Sequence, residues 1–187
     1  EGTNQRNDHY AGSIESRGRF AVELIEAVRQ AVGPDFPIIF RWSQWKLQDY
    51  SARLAQNPQE LERFLLPLSN AGVDIFHCSQ RRFWESEFEG EELNLAGWTR
   101  KITGKPAITV GSVGLDAVFT PKPGEMTFRE ADPASLDTLL DRMNEKEFDL
   151  VAVGRALISN PAWVNLVREK RMDELKPFRK ESLGELV

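Results

Sequence analysis

Cysteine and histidine are nearly missing from this chain. One cysteine, Cys78, and two histidines stand among 187 residues. That excludes an intrachain disulfide and a cysteine-rich metal site, and leaves zinc without enough ligands. No metal centre is expected. Long hydrophobic runs are missing too: none approaches the ~18–20 residues of a membrane helix, and the opening EGTNQRNDHY contains no apolar signal region. A positive excess is also absent. The net charge of −5 and pI near 5.2 offer no clustered basic field to a nucleic acid or an anionic membrane. Lys101/Lys105 and Arg168/Lys170/Arg171 sit among acids and read as solvated helix ends. The expectation is a cytoplasmic protein with no nucleic-acid partner and no membrane partner.

With 41% hydrophobic and 28% charged residues, the chain can bury a sizeable core, and residues 1–187 read as a single domain. It opens at Glu1, without Met, in a polar loop, which suggests the interior of a longer polypeptide and hence a partial domain.

Four short apolar runs are rich in Val and Ile: 37–42 (PIIFRW), 73–78 (VDIFHC), 106–111 (PAITVG) and 148–154 (FDLVAVG). Near-continuous apolar runs of this kind suit parallel strands covered on both faces. Helical stripes lie around them: Phe20, Leu24, Ala27/Val28 and Ala31; Leu61, Phe64/Leu65 and Leu68; Leu95, Trp98 and Ile102; Leu136, Leu139/Leu140 and Met143; Trp163, Val164 and Val167. Asn57-Pro58, Asp132-Pro133 and Asn160-Pro161 read as helix starts, and Gly33, Gly72 and Gly104 as helix ends. A proline- and glycine-bearing excursion, Phe119-Thr120-Pro121-Lys122-Pro123-Gly124-Glu125, reads as an inserted loop. The β/α alternation predicts a parallel sheet. By itself it is compatible with a doubly wound open sheet or with part of a (β/α)8 barrel, and in both the ligand sits at the carboxyl ends of the strands.

Those strand ends carry the chemistry. The third strand runs into Gly111-Ser112-Val113-Gly114 and the fourth into Gly154-Arg155. Glycine there lets a phosphate approach backbone N–H groups, and Arg155 adds a guanidinium fork for phosphate oxygens. Either turn alone can be an ordinary tight connection; two on consecutive strands, one ending in arginine, favour phosphate. Arg41 is the one charged residue within its strand. It can pair with a neighbouring acid, or face an electron-rich ring that gains negative charge. His77 can be a hydrogen-bonded core residue, or orient a substrate or act as an acid. Trp42, Trp45 and Trp84 follow strands and can line an apolar mouth for a planar ligand or belong to the core.

Two segments carry a family resemblance. Arg6-Asn7-Asp8-His9-Tyr10-Ala11-Gly12-Ser13-Ile14-Glu15-Ser16-Arg17-Gly18-Arg19-Phe20 is similar to the R-x-D-x-Y-G-G-S-x-x-N-R-x-R-F loop and helix of Old Yellow Enzyme relatives, with Ala11 replacing a glycine and Ser16 an asparagine. Asp149-Leu150-Val151-Ala152-Val153-Gly154-Arg155-Ala156-Leu157-Ile158-Ser159-Asn160-Pro161 resembles the family's D-x-V-x-x-G-R-x-x-x-x-N-P last strand.

The resemblance implies an α/β fold: the C-terminal half, strands 5 to 8, of a TIM (β/α)8 barrel, four parallel strands with covering helices. It implies an FMN-dependent oxidoreductase in which NADH or NADPH delivers hydride to the flavin, which reduces an activated alkene or similar small-molecule electrophile, as an ene-reductase does. By the same carry-over, Arg41 lies near the flavin pyrimidine, and Gly111, Ser112, Val113, Gly154 and Arg155 hold the phosphate. Trp42, Trp45, His77 and Trp84 remain substrate-lining candidates. The family's substrate-binding and proton-donating residues belong to its N-terminal half, so catalytic residues are expected outside this chain and the fragment alone is expected to be inactive. Its partner is then the missing N-terminal half or a second copy of the chain. Ser43-Gln44-Trp45-Lys46 departs from the shorter turn of the best-known members, so substrate preference does not transfer. Two alternatives stay open. One is a non-catalytic phosphate-ligand-binding or oligomerising half-barrel module. The other is a phosphate-binding lyase or isomerase barrel, which calls for a carboxylate or lysine at the strand ends where this chain offers Arg41, His77 and Arg155.

Overall fold

A computed structural model describes residues 3–46, 49–117 and 130–184; the proline-bearing excursion at 119–125 lies outside the described residues. Local capping explains where the first three long helices begin. Ser13 accepts from the Ser16 N–H at the head of α1 (Ile14–Val32), Asn57 from the Glu60 N–H at the head of α2 (Pro58–Ala71), and Asn94 from the Gly97 N–H at the head of α3 (Leu95–Thr103). The expected glycines follow all three: Gly33, Gly72 and Gly104 have φ of 82°, 115° and 65°.

Two expected helix starts fail, each for a local reason. Pro133 pairs with Leu115, and Ala131 with Phe178, in isolated bridges, so the chain around Asp132 is extended. α4 (Asp137–Asn144) starts later, where the Ser135 hydroxyl accepts from the Asp137 N–H. Asn160 is buried, and its side chain bonds Lys176 through both N–H and C=O as well as the Ala156 carbonyl. It fastens the C-terminal segment, while α6 (Trp163–Arg168) begins after Ala162. Between them runs α5 (Arg155–Ser159).

β1 (Ile39–Ser43), β2 (Ile75–Ser79), β3 (Ala107–Val110) and β4 (Leu150–Ala152) form one sheet in sequence order. The parallel register pairs Arg41 with His77, Trp42 with Cys78 and Phe76 with Ala107. Strand periodicity splits the side chains between two faces. Trp42, Phe76, Cys78, Ala107 and Thr109 are buried beneath helices; Ile39 is 55% exposed, Arg41 is exposed, and Ile75, His77 and Ile108 are half-buried. Cover on both faces was expected. Among the described residues, the helices cover one.

The face that α1 buries is also not the expected one. Ile14, Gly18 and Ile25 point inward, and a Cβ on Gly18 would lie 3.3 Å from the Phe64 ring of α2. Phe20 (64% exposed), Leu24 and Val28 point outward. Helical spacing identifies a stripe; it does not say which stripe is covered. The cores that do form are apolar: Leu61, Leu65, Leu68, Phe76 and Phe148 are at most 1% exposed, each contributing about 1.5–3 kcal/mol.

One polar device occurs twice. Arg29 in α1 pairs with Asp74, whose carboxylate accepts the Ile38 N–H at 2.8 Å. Arg100 in α3 pairs with Asp149, whose carboxylate accepts the Ala107 N–H at 3.0 Å. Each aspartate, just before one strand, thus ties the start of the preceding strand to the helix leading into it. Asp74 titrates below the usual carboxylate range: burial pushes it up, but the Ile38 N–H and the Arg29 guanidinium outweigh that.

The chain divides into two compact units. One holds the chain up to Ser79 together with Ser86–Thr109 and Glu147–Leu150; the other holds Gln80–Glu85, Val110–Lys146 and the chain from Val151 onward.

Candidate functional site

All five candidate phosphate ligands fall in the second unit. Beyond β3 the backbone enters the left-handed region at Gly111 (φ 123°), Ser112 (φ 52°) and Gly114 (φ 67°). Ser112 is the informative one, because a residue with a Cβ adopts that conformation only where its surroundings hold it there. The hold is visible. The carbonyl of Gly111 accepts from the Phe83 N–H, that of Ser112 from the Leu115 N–H, and that of Gly114 from the Ala134 N–H. In a planar trans peptide, N–H and C=O point in opposite directions. The Ser112 and Val113 N–H groups are therefore turned away from the Phe83 and Leu115 segments, as two successive donors that suit an anion. The Val113 side chain is buried, so only its backbone can serve a ligand.

At Gly111 the absent side chain makes way for protein backbone. A Cβ there would stand 2.7–2.8 Å from backbone atoms of residues 80–82, so the space that glycine opens is already filled by protein. Gly154 is the reverse: a Cβ there would meet nothing within 4 Å. Of the two glycines, Gly154 leaves room for a ligand.

Ser112 and Arg155 come together. The Ser112 hydroxyl lies 3.3 Å from the Ala117 carbonyl and 3.2 Å from that of Arg81, and the Arg155 guanidinium donates to the same Ala117 carbonyl. Arg155 also lies over the Phe178 ring, 5.6 Å from its centroid. Burial lowers its pKa, with Asp116 acting in the opposite sense. It remains a cation at any working pH. Trp84, 36% exposed, stands edge-on to Phe83 at 5.0 Å, and its carbonyl accepts from Arg142.

Arg41, Trp42, Trp45 and His77 fall in the first unit. Arg41 donates to the Ser79 hydroxyl at 3.3 Å rather than to an acid. His77 is its register partner, and burial first, then the charge of Arg41, lowers the pKa of the imidazole. Both effects favour the neutral imidazole, and its Nε2 is shielded from solvent with no hydrogen-bond partner among the described residues. Trp42 takes the core alternative: it is 6% exposed, 5.5 Å from the Phe64 ring. Trp45 lies 5.0 Å from the Tyr50 ring and lines a 360 Å³ pocket.

Glu87 and Asn94 were not singled out from the sequence, and Gln44 only as part of the departing turn 43–46. Asn94 had a local signal, a capping residue directly before an apolar stripe. Gln44 and Glu87 had none: they meet across 43 residues of chain. Cys78 is fully buried, with its sulfur 3.3 Å from the Thr99 hydroxyl, and burial pushes its thiol up to about 12. It is a packing residue.

Comparison with known proteins gives the family and the fold. The family model described as NADH:flavin oxidoreductase / NADH oxidase matches residues 1–121. The chain is 31% identical over 182 residues to an NADH oxidase of Thermoanaerobacter brockii, covering 93% of this chain and 24% of that one. It is 29% identical over 174 residues to a multifunctional alkene reductase/demethylase of Caballeronia cordobensis, again 93% and 24%. With a bilirubin reductase of Clostridium symbiosum it shares 25% identity, covering 92% of this chain and 44% of the relative. The chain thus spans less than half the length of these relatives. Among solved structures, an Old Yellow Enzyme homologue from Zymomonas mobilis superposes with a TM-score of 0.66 at 18% identity, covering 96% of this chain and 44% of that chain. Morphinone reductase in complex with tetrahydroNAD gives 0.67 at 21%, covering 97% and 41%. These likenesses give the fold: four successive parallel β/α units, the half-barrel expected from the sequence.

Proposed function

Because the chain belongs to the NADH:flavin oxidoreductase / NADH oxidase family, we propose that it supplies the phosphate-holding half of an FMN-dependent oxidoreductase that uses NADH or NADPH to reduce an activated alkene or similar electrophile. The observation that carries this reading is the arrangement around Ala117: Ser112 and Arg155, from the ends of consecutive strands, meet at one carbonyl, while two N–H groups of the same turn are directed away from the Phe83 and Leu115 segments and Gly154 has open space where a Cβ would stand.

In this reading the Ser112 and Val113 N–H groups and the Arg155 guanidinium would hold phosphate oxygens. Arg41 would hold the flavin's pyrimidine end, where its charge would offset negative charge gained on reduction. His77, held neutral, keeps a second positive charge away from Arg41 and can supply a hydrogen bond without carrying a proton in transit. A bound flavin would supply the hydride chemistry that links the nicotinamide to the electrophile. The proton donor and the groups that grip the electrophile's activating group lie outside this chain, so the 187 residues alone turn over little. A preceding half-barrel completes the enzyme, or a second copy of the chain stands in for it.

The test is direct. Chain titrated with FMN should quench flavin fluorescence with a 1:1 end point, and riboflavin, which lacks the phosphate, should bind much more weakly. Equal affinity for the two would remove the phosphate role. Protein that ignores both would remove the flavin reading, and phosphate esters bound without preference for flavin would favour a non-catalytic phosphate-ligand module.

A further inference from the structure

Segment 176–178 is pinned at both ends. Asn160, which directly follows α5, accepts the Lys176 N–H at 2.7 Å and donates to the Lys176 carbonyl at 2.9 Å. Two residues on, Phe178 exchanges both backbone bonds with Ala131, at 2.8 and 3.1 Å. The neighbour of Ala131 is joined in turn to the stretch before Ala117. The Asp116 N–H donates to the Asp132 carbonyl at 3.0 Å, and the Asp116 carboxylate accepts the Asp132 N–H at 2.9 Å. Three segments distant in sequence are thus laced together, and one of them carries the carbonyl that receives Arg155.

The lacing sets one ring against one cation. Phe178 has no exposed surface, and the half-buried Arg155 guanidinium lies over its ring, 5.6 Å from the centroid. A half-buried guanidinium needs an offset for lost hydration, and a carboxylate is the usual one. A carboxylate would also occupy the fork and cancel its charge. Here the acid that acts on Arg155 through its charge, Asp116, already accepts the Asp132 N–H. An aromatic face attracts a cation without accepting any N–H, so the positive charge stays available to an anion. The ring is also held in advance, by backbone bonds at Phe178 itself and by a buried amide two residues before it. A long side chain kept in one place before its ligand arrives loses less entropy on binding.

We infer that Phe178 is a positioning residue for the phosphate arginine: braced by Asn160 and Ala131, its ring holds the Arg155 guanidinium in place without taking up a donor. The inference rests on the reading of Arg155 as a phosphate ligand. It makes a segment more than twenty residues beyond the last strand part of what sets the strength of the anion site.

Phe178→Leu keeps an apolar side chain and removes the ring face. FMN affinity of the 187-residue chain, read by flavin fluorescence, should fall about 3- to 10-fold, while riboflavin, which has no phosphate, should bind as before. Equal losses for the two flavins would mark a general packing defect and overturn the role. If the leucine variant unfolds, phenylalanine analogues carrying successive fluorines at position 178 replace it, since they keep the shape and weaken the negative face of the ring in steps. FMN affinity should then fall with each fluorine, and affinity indifferent to fluorination would overturn the inference. A flavin-free readout keeps the two proposals apart. The Arg155 Nε–H signal in NMR spectra, identified by its loss in Arg155→Lys, should stand apart from those of solvent-exposed arginines and join them in Phe178→Leu. If the unaltered chain ignores FMN, the flavin reading fails alone and this signal decides the positioning role: one that moves supports it, and one that stays put overturns it.

Discussion

Ser112 and Arg155 reach the same atom, the carbonyl oxygen of Ala117, from the ends of two successive strands. That shared acceptor fixes a cation beside a backbone turn whose N–H groups face away from their neighbours. Removing the cation is the most direct probe. Arg155→Ala should weaken FMN binding by about 10- to 100-fold, the range of a lost charge-assisted hydrogen bond, as read by flavin fluorescence. Arg155→Lys should recover only part, because a point charge does not reproduce the planar fork. An alanine variant that binds FMN normally would take Arg155 out of the site.

The two glycines of the cradle should respond in opposite ways. Gly111→Ala must accommodate a Cβ against the backbone of residues 80–82 at φ 123°, and should lower stability by about 1–3 kcal/mol in urea unfolding. Gly154→Ala has open space to fill and should leave the unfolding midpoint almost unchanged while impairing FMN binding. Equal effects on stability would contradict the packing at Gly111.

Acid should act at Glu87 in a defined direction. Burial raises its pKa above 4.5, with Arg53 and Gln44 pulling the other way. The folded state therefore holds the proton more tightly than the unfolded state. The cost of burying the charge is absent below about pH 4.5 and develops as pH rises through the folded value, so this group lowers stability on that limb. Glu87→Gln should flatten the limb in thermal melts taken from pH 4 to 8. A variant with an unchanged pH profile would show that Glu87 is not the source.

Cys78 should be silent in the folded chain. With its thiol pushed up to about 12 and fully buried, it should resist a thiol-reactive disulfide reagent for hours and react within minutes after denaturation. Rapid native labelling would mean that the β2 core opens far more often than its packing suggests.

Asp74 and Asp149 do the same work in successive parts of the chain, and Asn substitutions should treat them alike. Each variant should lose about 1–3 kcal/mol, the scale of a charge-assisted bond at a partly buried site, and Arg29→Ala or Arg100→Ala should destabilise less in the background of its own asparagine variant.

Much of this fold could be read from the chain. The four apolar runs became the four strands, and the glycines at 33, 72 and 104 end their helices, because those signals are local: a glycine that must adopt positive φ declares itself wherever it stands. The failures were questions of context. Asn160 looks like a helix cap until Lys176, sixteen residues on, takes its amide. Gly111 looks like a gap for a phosphate until the 80–82 backbone fills it. The covered side of α1 could not be chosen by periodicity, since the helix carries apolar residues on both sides. Arg41, His77, Ser112 and Arg155 were singled out by type and place, but the shared carbonyl of Ala117 and the bonds of Gln44 to Ala55 and Glu87 depend on distant partners that a one-dimensional pattern does not pair.

The outward row on α1, Phe20, Leu24 and Val28, recurs every four residues like one side of an open zip. Water has to order itself along that greasy seam for as long as nothing is laid against it, so the free chain is a sticky molecule. Concentrated solutions will clump along this edge before the cradle loses its shape, and a dye that brightens in oily surroundings will light up on it at rest.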